Sequence, residues 1–529
     1  MKRRWSRREL IAGLATGTVG AVAGCSSAES GSSETTGRTN RTSTSSPSTA
    51  TSGESFTVAV ADDPTKAKWD LYDGIVPYYT HVFEPLVGVS AEMKPVPLLA
   101  TDWKAVDRTT WEFSLREDVS FHNGDALTAD AVVSSFETVF ENWSWVPEWI
   151  GVEPDGVTKR GAHTVRFETT NPFPAFPGTI SHNYFGIQHP DTDDPVGTGP
   201  FRATGTDEGR SVTLSSFDGY RNGAPAPSEL TFRYVKDPNT RVLSLEKGTV
   251  DVAYEVPKSK APSVDDAAKT AIETQLGPEA GLAAVNLYKA PTDDETLRQA
   301  LNWAVDQERL VESVLNGIGE PARGPFSSAI PWTIHDELPT YGPNREKASR
   351  LVERSDYDGE TLSILVNSEN TDDATIAEIL KSWFDEIGVT SEIQRIDPAS
   401  FYDTFTSGGG HLALVGFGSN SAACDYLVRA MFHSTGSDNR KLHEKNGTGV
   451  YNPGKAVDRL IEQGYEAKTL AKKREYYGEV QRRVVETGAV VPLYYNEYVL
   501  GRRATVAGVG MHPLSAMVGW SNLTRDVSA

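Results

Sequence analysis

Cysteine is almost missing from this chain. There are two in 529 residues, Cys25 and Cys424, so no disulfide framework holds it. Basic charge is also short: 51 Lys and Arg stand against 72 Asp and Glu, and the net charge of -21 repels nucleic acid and excludes it as a partner. Long apolar runs are lacking. The weakly apolar run Leu10 to Gly24 is rich in Gly and Ala and falls below the roughly 20 apolar residues of a membrane span. Catalytic signatures are absent as well: no Gly-x-Ser-x-Gly elbow, no His-Glu-x-x-His, no Walker loop and no Cys-x-x-Cys. The reading is a chain with no catalytic residues, no metal ligands and no cofactor.

What is present begins with an address. Ser6-Arg7-Arg8-Glu9-Leu10-Ile11 reads as a twin-arginine export signal, and Val22-Ala23-Gly24-Cys25 resembles a lipobox, whose cysteine takes a lipid. Residues 1–25 are therefore set apart from the fold. From Ser26 to Ser55 the chain is Ser, Thr and Gly with little else, which cannot bury a core and makes a flexible tether. Such a tether spans on the order of 30 Å. It carries one glycosylation sequon, Asn40-Arg41-Thr42. Beyond it, acidic pairs such as Asp62-Asp63, Asp193-Asp194 and Asp372-Asp373 are spread along the chain. This is the solvated exterior of a halophile, with an ordinary acidic secreted protein as the alternative.

The hydrophobic content of 38% is enough for a globular interior, and the length implies about three domains or lobes. The most informative stretch is Leu98 to Phe136. Trp111, Phe113 and Leu115 alternate with Glu112, Ser114 and Arg116 as in a half-buried strand. A turn follows at His122-Asn123-Gly124-Asp125, and Thr128 N-caps a helix that carries Ala131, Val132, Ser135, Phe136 and Val139 on one face. Tyr78 to Pro85 reads as a helix, Gly197 and Gly199 as positive-φ positions around Thr198, and Val490 to Tyr495 and Thr505 to Ala507 as strands. The helix Ala374 to Ile387 lies between the strands Thr361 to Val366 and Val389 to Ile396, which makes a crossover unit and a parallel layer.

Five segments also carry a resemblance. They are Leu98 to Val132 with its Phe113-Ser114-Leu115-Arg116 and Val119-Ser120-Phe121-His122-Asn123-Gly124 runs, Pro195 to Phe201, Arg241 to Asp251, Leu297 to Asp306, and Asn452-Pro453 with Asp458. In this order they resemble the signatures of the family 5 extracellular solute-binding proteins, the receptors of dipeptide, oligopeptide and nickel ABC importers. The resemblance runs from about Phe56 to Val509. It implies an α/β, two-lobed periplasmic-binding-protein-like (type II) fold with an extra small sheet-rich subdomain. The expected division is 56–91 with 195–285 and 488–529 as the main part of lobe 1, 92–194 as its small subdomain, and 286–487 as lobe 2. Strands crossing between lobes would act as a hinge.

For the ligand, the segment Ala413 to Asn420 looks like a buried strand emptying into a Gly-rich loop, where open α/β sheets bind ligands. In the family's peptide binders this place looks like Gly-Trp followed by an aspartate that pairs with the peptide's amino terminus. Here Phe417 stands at the tryptophan, Gly418 follows, and Asn420 stands at the aspartate, with Asp425 nearby as a substitute. Phe417 is equally a core aromatic. His433 falls near the histidine of nickel-binding relatives, and Trp143, Trp145 and Trp149 line a cleft or cap the small subdomain. The expectation is a monomeric, non-enzymatic receptor, lipid-anchored at the outer face of the cell membrane, that takes a peptide and passes it to ABC permease subunits. A nickel chelate, a sugar and, from another class, a secreted hydrolase are the alternatives.

Overall fold

The computed structural model describes residues 53–66, 68–71, 79–265, 267–436 and 454–525. Cys25, Arg7, Arg8 and Asn40 lie outside them. Alternation builds the first strand, Glu54–Val60, in which Phe56, Val58 and Val60 are buried. It lies between parallel neighbours, Pro227–Tyr234 and the short Val252–Ala253. Antiparallel Ser211–Ser216 and Phe201–Asp207 complete that side of the sheet.

Two long strands carry the same sheet into the second half of the molecule. Thr270–Val285 and Val490–Arg503 pair antiparallel over almost their full length. At one end Val490–Arg503 also pairs with Val252–Ala253, and at the other Thr270–Val285 pairs with Leu412–Phe417. The parallel strands Leu362–Asn367 and Ser391–Ile396 finish that edge. Their connection is the helix Thr371–Glu386, N-capped by Asn370 and followed by Gly388 at φ 86°, so the crossover unit forms as its pattern predicts. Each lobe has its own core. Phe56, Val58, Leu214, Leu230 and Trp520 belong to one, and Val285, Leu301, Ile364, Leu380 and Phe384 to the other.

A four-stranded antiparallel sheet, Ala100–Ala105, Thr110–Leu115, Thr164–Thr169 and Val152–Gly161, forms the small subdomain. The helix Ala129–Asn142 packs Val132, Phe136 and Val139 against it, and the Thr128 hydroxyl accepts the Ala131 N–H as the cap. The molecule is thus two-lobed α/β with an added sheet-rich piece.

Three local expectations change. Of the segment Tyr78 to Pro85, Tyr79 and Thr80 are helical, but His81 takes φ 53° and the chain runs on without regular structure to Val87–Val89. Gly197 and Gly199 are not at positive φ. They are glycine because a Cβ would come within 2.0 Å of the Val82 carbonyl and 1.7 Å of the His81 carbonyl. Thr198 between them donates to Glu84, whose carboxylate is held by both arms of Arg221 at 2.6 and 2.8 Å. Finally, Val490 to Arg503 is one continuous strand, and Val506–Ala507 pairs separately with Thr524–Arg525.

Candidate functional site

The pairing of the two long strands breaks between Leu276 and Ala280, where the sequence reads Gly277-Pro278-Glu279. Proline cannot donate to a ladder and glycine tolerates the bend, so the strand bulges, and the bulge aims Glu279 out of the sheet between the lobes. Asn496, on the facing strand, donates to the Glu279 carboxylate at 3.0 Å and accepts from Lys258 Nζ at 2.7 Å. The Lys258 ammonium lies over the Tyr494 ring, 4.6 Å from its centre. Gly416 and Gly418 leave the room Glu279 occupies. A Cβ on Gly416 would sit 3.0 Å from its carboxylate oxygen, and one on Gly418 2.9 Å from its Cβ.

Lobe 1 supplies the opposite wall. Just past Val252–Ala253, Glu255 is held at φ 52°, a left-handed backbone that a glutamate adopts only when its surroundings force it. The force is Arg241. Its guanidinium donates to the carbonyls of Tyr254 and Glu255 at 2.8 Å each, and of Val235 and Lys236 at 2.8 and 3.1 Å. The arginine therefore grips the backbone, and among the described residues no hydrogen bond reaches the Glu255 carboxylate. Asp62, beyond the end of the first strand, and Tyr79, whose ring lies 4.6 Å from that of Tyr254, stand beside it. From lobe 2, the first turn of the helix Thr371–Glu386 brings Asp372 and Asp373 toward Glu279 and Lys258.

These groups perturb one another. Burial, reinforced by Asp62, pushes Glu255 up to about 7. Burial, reinforced by Glu279 and Asp372, does the same to Asp373. Glu279, Asp372 and Asp62 are also raised, chiefly by burial, and burial pulls Lys258 down to about 8. Desolvation disfavours each charged form, and too few opposite charges stand nearby to reverse it.

The residues singled out from sequence are distributed differently. Gly418 is at this site, against Glu279, and its carbonyl accepts from the Tyr426 hydroxyl at 3.0 Å. Asn420 is half-buried just beyond. The Phe417 side chain, 5% exposed, points into the core with Phe432 and Trp332. Asp425 is buried in lobe 2, held by Lys473 at 2.5 Å and by the Tyr477 hydroxyl at 3.0 Å, so its carboxylate is already engaged. His433, also buried, lies beside Glu462 at 3.4 Å and accepts from the Thr435 N–H at 3.0 Å. Of the tryptophans, Trp149 reaches across to Tyr426 while packing on Phe185. Trp143 stays with the small subdomain, and Trp145 packs against both that core and the main core of lobe 1, where it meets Tyr184. The lobes touch here: Ser181 accepts the Ala422 N–H at 3.0 Å.

Sequence reading missed Asp62, Tyr79, Glu255, Lys258, Glu279, Asp372, Asp373 and Asn496. One signal was available, the Gly-Pro pair inside an otherwise strand-like run, which marks a bulge. Among the described residues, no group of three or more His, Cys, Asp or Glu is placed to hold a metal ion.

Known proteins share this architecture. A probable D,D-dipeptide-binding periplasmic protein of Escherichia coli K12 is 23% identical over 435 residues, covering 79% of this chain and 83% of that protein. The nickel-binding periplasmic protein of the same organism is 28% identical over 360 residues, 61% of this chain and 67% of its own. Among solved structures, NikA from Brucella suis in complex with Fe(III)-EDTA superposes with a TM-score of 0.80 at 22% identity, covering 89% of this chain and all of that one. AppA from Bacillus subtilis, in complex with a nonapeptide, gives 0.71 at 20% identity over 90% and 99%. The model of the bacterial extracellular solute-binding proteins, family 5, matches residues 94–439. The chain belongs to that family, as a non-catalytic, solute-binding component of an ABC importer.

Proposed function

We propose that the chain captures a peptide in the cleft between its lobes, closes over it and delivers it to permease subunits in the membrane. The observation that supports this most is the cleft itself. Two continuous strands join the lobes, bulge at Gly277-Pro278-Glu279 and place polar side chains from both lobes at one point. A relative named for D,D-dipeptides, relatives named for glutathione and a structure solved with a nonapeptide favour peptide as the solute. A nickel chelate is the second reading, favoured by relatives named for nickel and by the structure of NikA from Staphylococcus aureus in complex with Ni(L-His)2.

The lobe boundaries given from sequence, a monomeric state, lipid attachment at Cys25, export through Arg7-Arg8 and adaptation to high salt belong to the same proposal. The acidic surplus supports the last, and the lipobox-like Val22 to Cys25 supports the anchor. A Cys25→Ser protein found in the soluble fraction fits the anchor, and one still wholly in the membrane fraction rejects it.

The solute is tested by thermal stability of the purified chain with pooled di- to pentapeptides, nickel with and without histidine, and oligosaccharides. A ligand at 100 times its dissociation constant stabilises by about 2.7 kcal/mol. A shift with peptides is expected. A shift with nickel and histidine alone would replace peptide by the chelate.

A further inference from the structure

Besides the two long strands, a small patch joins the small subdomain to the part of lobe 2 that follows Leu412–Phe417. After the strand Thr164–Thr169 the chain sends Phe173, Phe176 and Ile180 into the core of the small subdomain. The same run also faces lobe 2. The Phe173 ring stacks on that of Tyr465, at the end of the helix Lys455–Tyr465, with centres 4.5 Å and planes 14° apart. Gly178 lies so close to Ala423 that a Cβ on it would stand 3.2 Å from both the Cβ and the nitrogen of that residue. The Ser181 hydroxyl, fully buried, donates to the Gly178 carbonyl at 2.7 Å, which leaves its lone pairs to accept the Ala422 N–H at 3.0 Å. Trp149 meets Tyr426 edge to face, with ring centres 6.2 Å apart.

This patch has the character of a contact that opens, not of a lobe's own core. The three atoms nearest a Cβ on Gly178 all belong to Ala422 and Ala423, so glycine is required there by the approach of lobe 2. The bonds are few, one amide hydrogen bond and two ring contacts, and small polar interfaces of this kind part readily. When they part, Ser181 keeps its bond to Gly178 and the Ala422 N–H exchanges its partner for water. The patch is also continuous with the strand bulge, because the Tyr426 hydroxyl donates to the Gly418 carbonyl at 3.0 Å and Gly418 packs on Glu279.

We propose that this patch is a latch. Contacts made only when the lobes are together bias the molecule toward that arrangement by their own free energy, with or without a solute. The latch therefore favours closure before any solute is bound, and solute entry requires that it open. This holds for a peptide, a chelate or any other solute, and so goes beyond the reading given above.

The test needs no solute. Hydrogen exchange at the Ala422 amide of the solute-free full chain is compared with that in Tyr465→Ala and Gly178→Leu, all at one pH so that the cleft carboxylates titrate alike. Tyr465 lies on a different element from Ala422, so faster exchange in Tyr465→Ala reports release of the whole patch, which a purely local packing role would not produce. The amide is expected to be protected in the unaltered chain and to exchange at least about tenfold faster in both variants. Small-angle scattering is expected to give both variants a larger radius of gyration. The amides of Leu282 to Ala284, paired within the long strands, are the control for folding and should keep their rates. If Gly178→Leu does not fold, Tyr465→Ala carries the test alone. An Ala422 amide that already exchanges freely in the unaltered chain, or one that keeps its rate in a folded variant, overturns the latch. Faster exchange without a change in radius overturns it too, since the patch would then loosen without the lobes parting. Each of these results leaves the peptide reading standing, because no solute enters the measurement.

Discussion

Glu255 owes its position to Arg241. A positive φ on a glutamate costs of order 1–3 kcal/mol and persists only where neighbours over-determine it. Here four hydrogen bonds from one buried guanidinium fix the carbonyls on either side of the turn. Arg241→Met keeps the apolar stem and deletes the donors, leaving buried acceptors unsatisfied, which costs about 1–3 kcal/mol for each group left unpaired. The expected outcome is a protein destabilised by about 3 kcal/mol or more, whose Glu255 relaxes to an ordinary φ. Chemical denaturation measures the first effect, and loss of ligand-induced stabilisation in the same variant reports the second. A variant that is destabilised but binds as before would show that the turn does not position the ligand contact.

At the scale of elements, the two glycines of Leu412 to Gly418 work by absence. A Cβ on Gly416 would meet only the carboxylate end of Glu279, at 3.0 Å, and that end can swing aside. On Gly418 it would meet the Glu279 Cβ and Cα at 2.9 and 3.1 Å, which cannot. Gly416→Ala is therefore expected to leave stability within about 0.5 kcal/mol while weakening ligand binding, and Gly418→Ala to lower stability by about 1–3 kcal/mol through overpacking. Melting curves with and without ligand separate the two. These elements were legible in the sequence wherever periodicity governs. The cap at Thr128 and the strand Leu412–Phe417 follow from residue type and spacing, whereas the helix read from Ala374 begins three residues earlier, at Thr371, behind an Asn370 cap. The candidate site was legible only at Gly418. Its remaining members come from segments distant in sequence, Asp62, Glu255, Glu279, Asp373 and Asn496, and they meet because the sheet brings those strands together. No local pattern records that meeting. The converse holds for Asp425, whose position beyond the Gly-rich loop suggested a ligand contact until folding gave it Lys473 and Tyr477.

For the whole molecule, the cleft couples closure to protons. Closure is expected to bury the carboxylates of both lobes, which in an open molecule would return toward the ordinary carboxylate range. Glu255 and Asp373 are raised to about 7 by burial and by neighbouring carboxylates. A carboxylate whose value is raised in one state favours that state below its ordinary value, and the advantage disappears as pH rises through the raised one. The closed form without ligand is therefore stabilised near pH 4 and loses that stabilisation between about pH 5 and 8. The groups that face Glu255 are Asp62, Arg241 and Glu279, and those that face Asp373 are Glu279, Asp372 and Lys258. Lys258 itself, pulled down to about 8, opposes the trend only weakly at its upper end. Small-angle scattering without ligand should show a smaller radius of gyration at pH 5 than at pH 8.5. A radius independent of pH would mean that these carboxylates are not what the two lobes close upon.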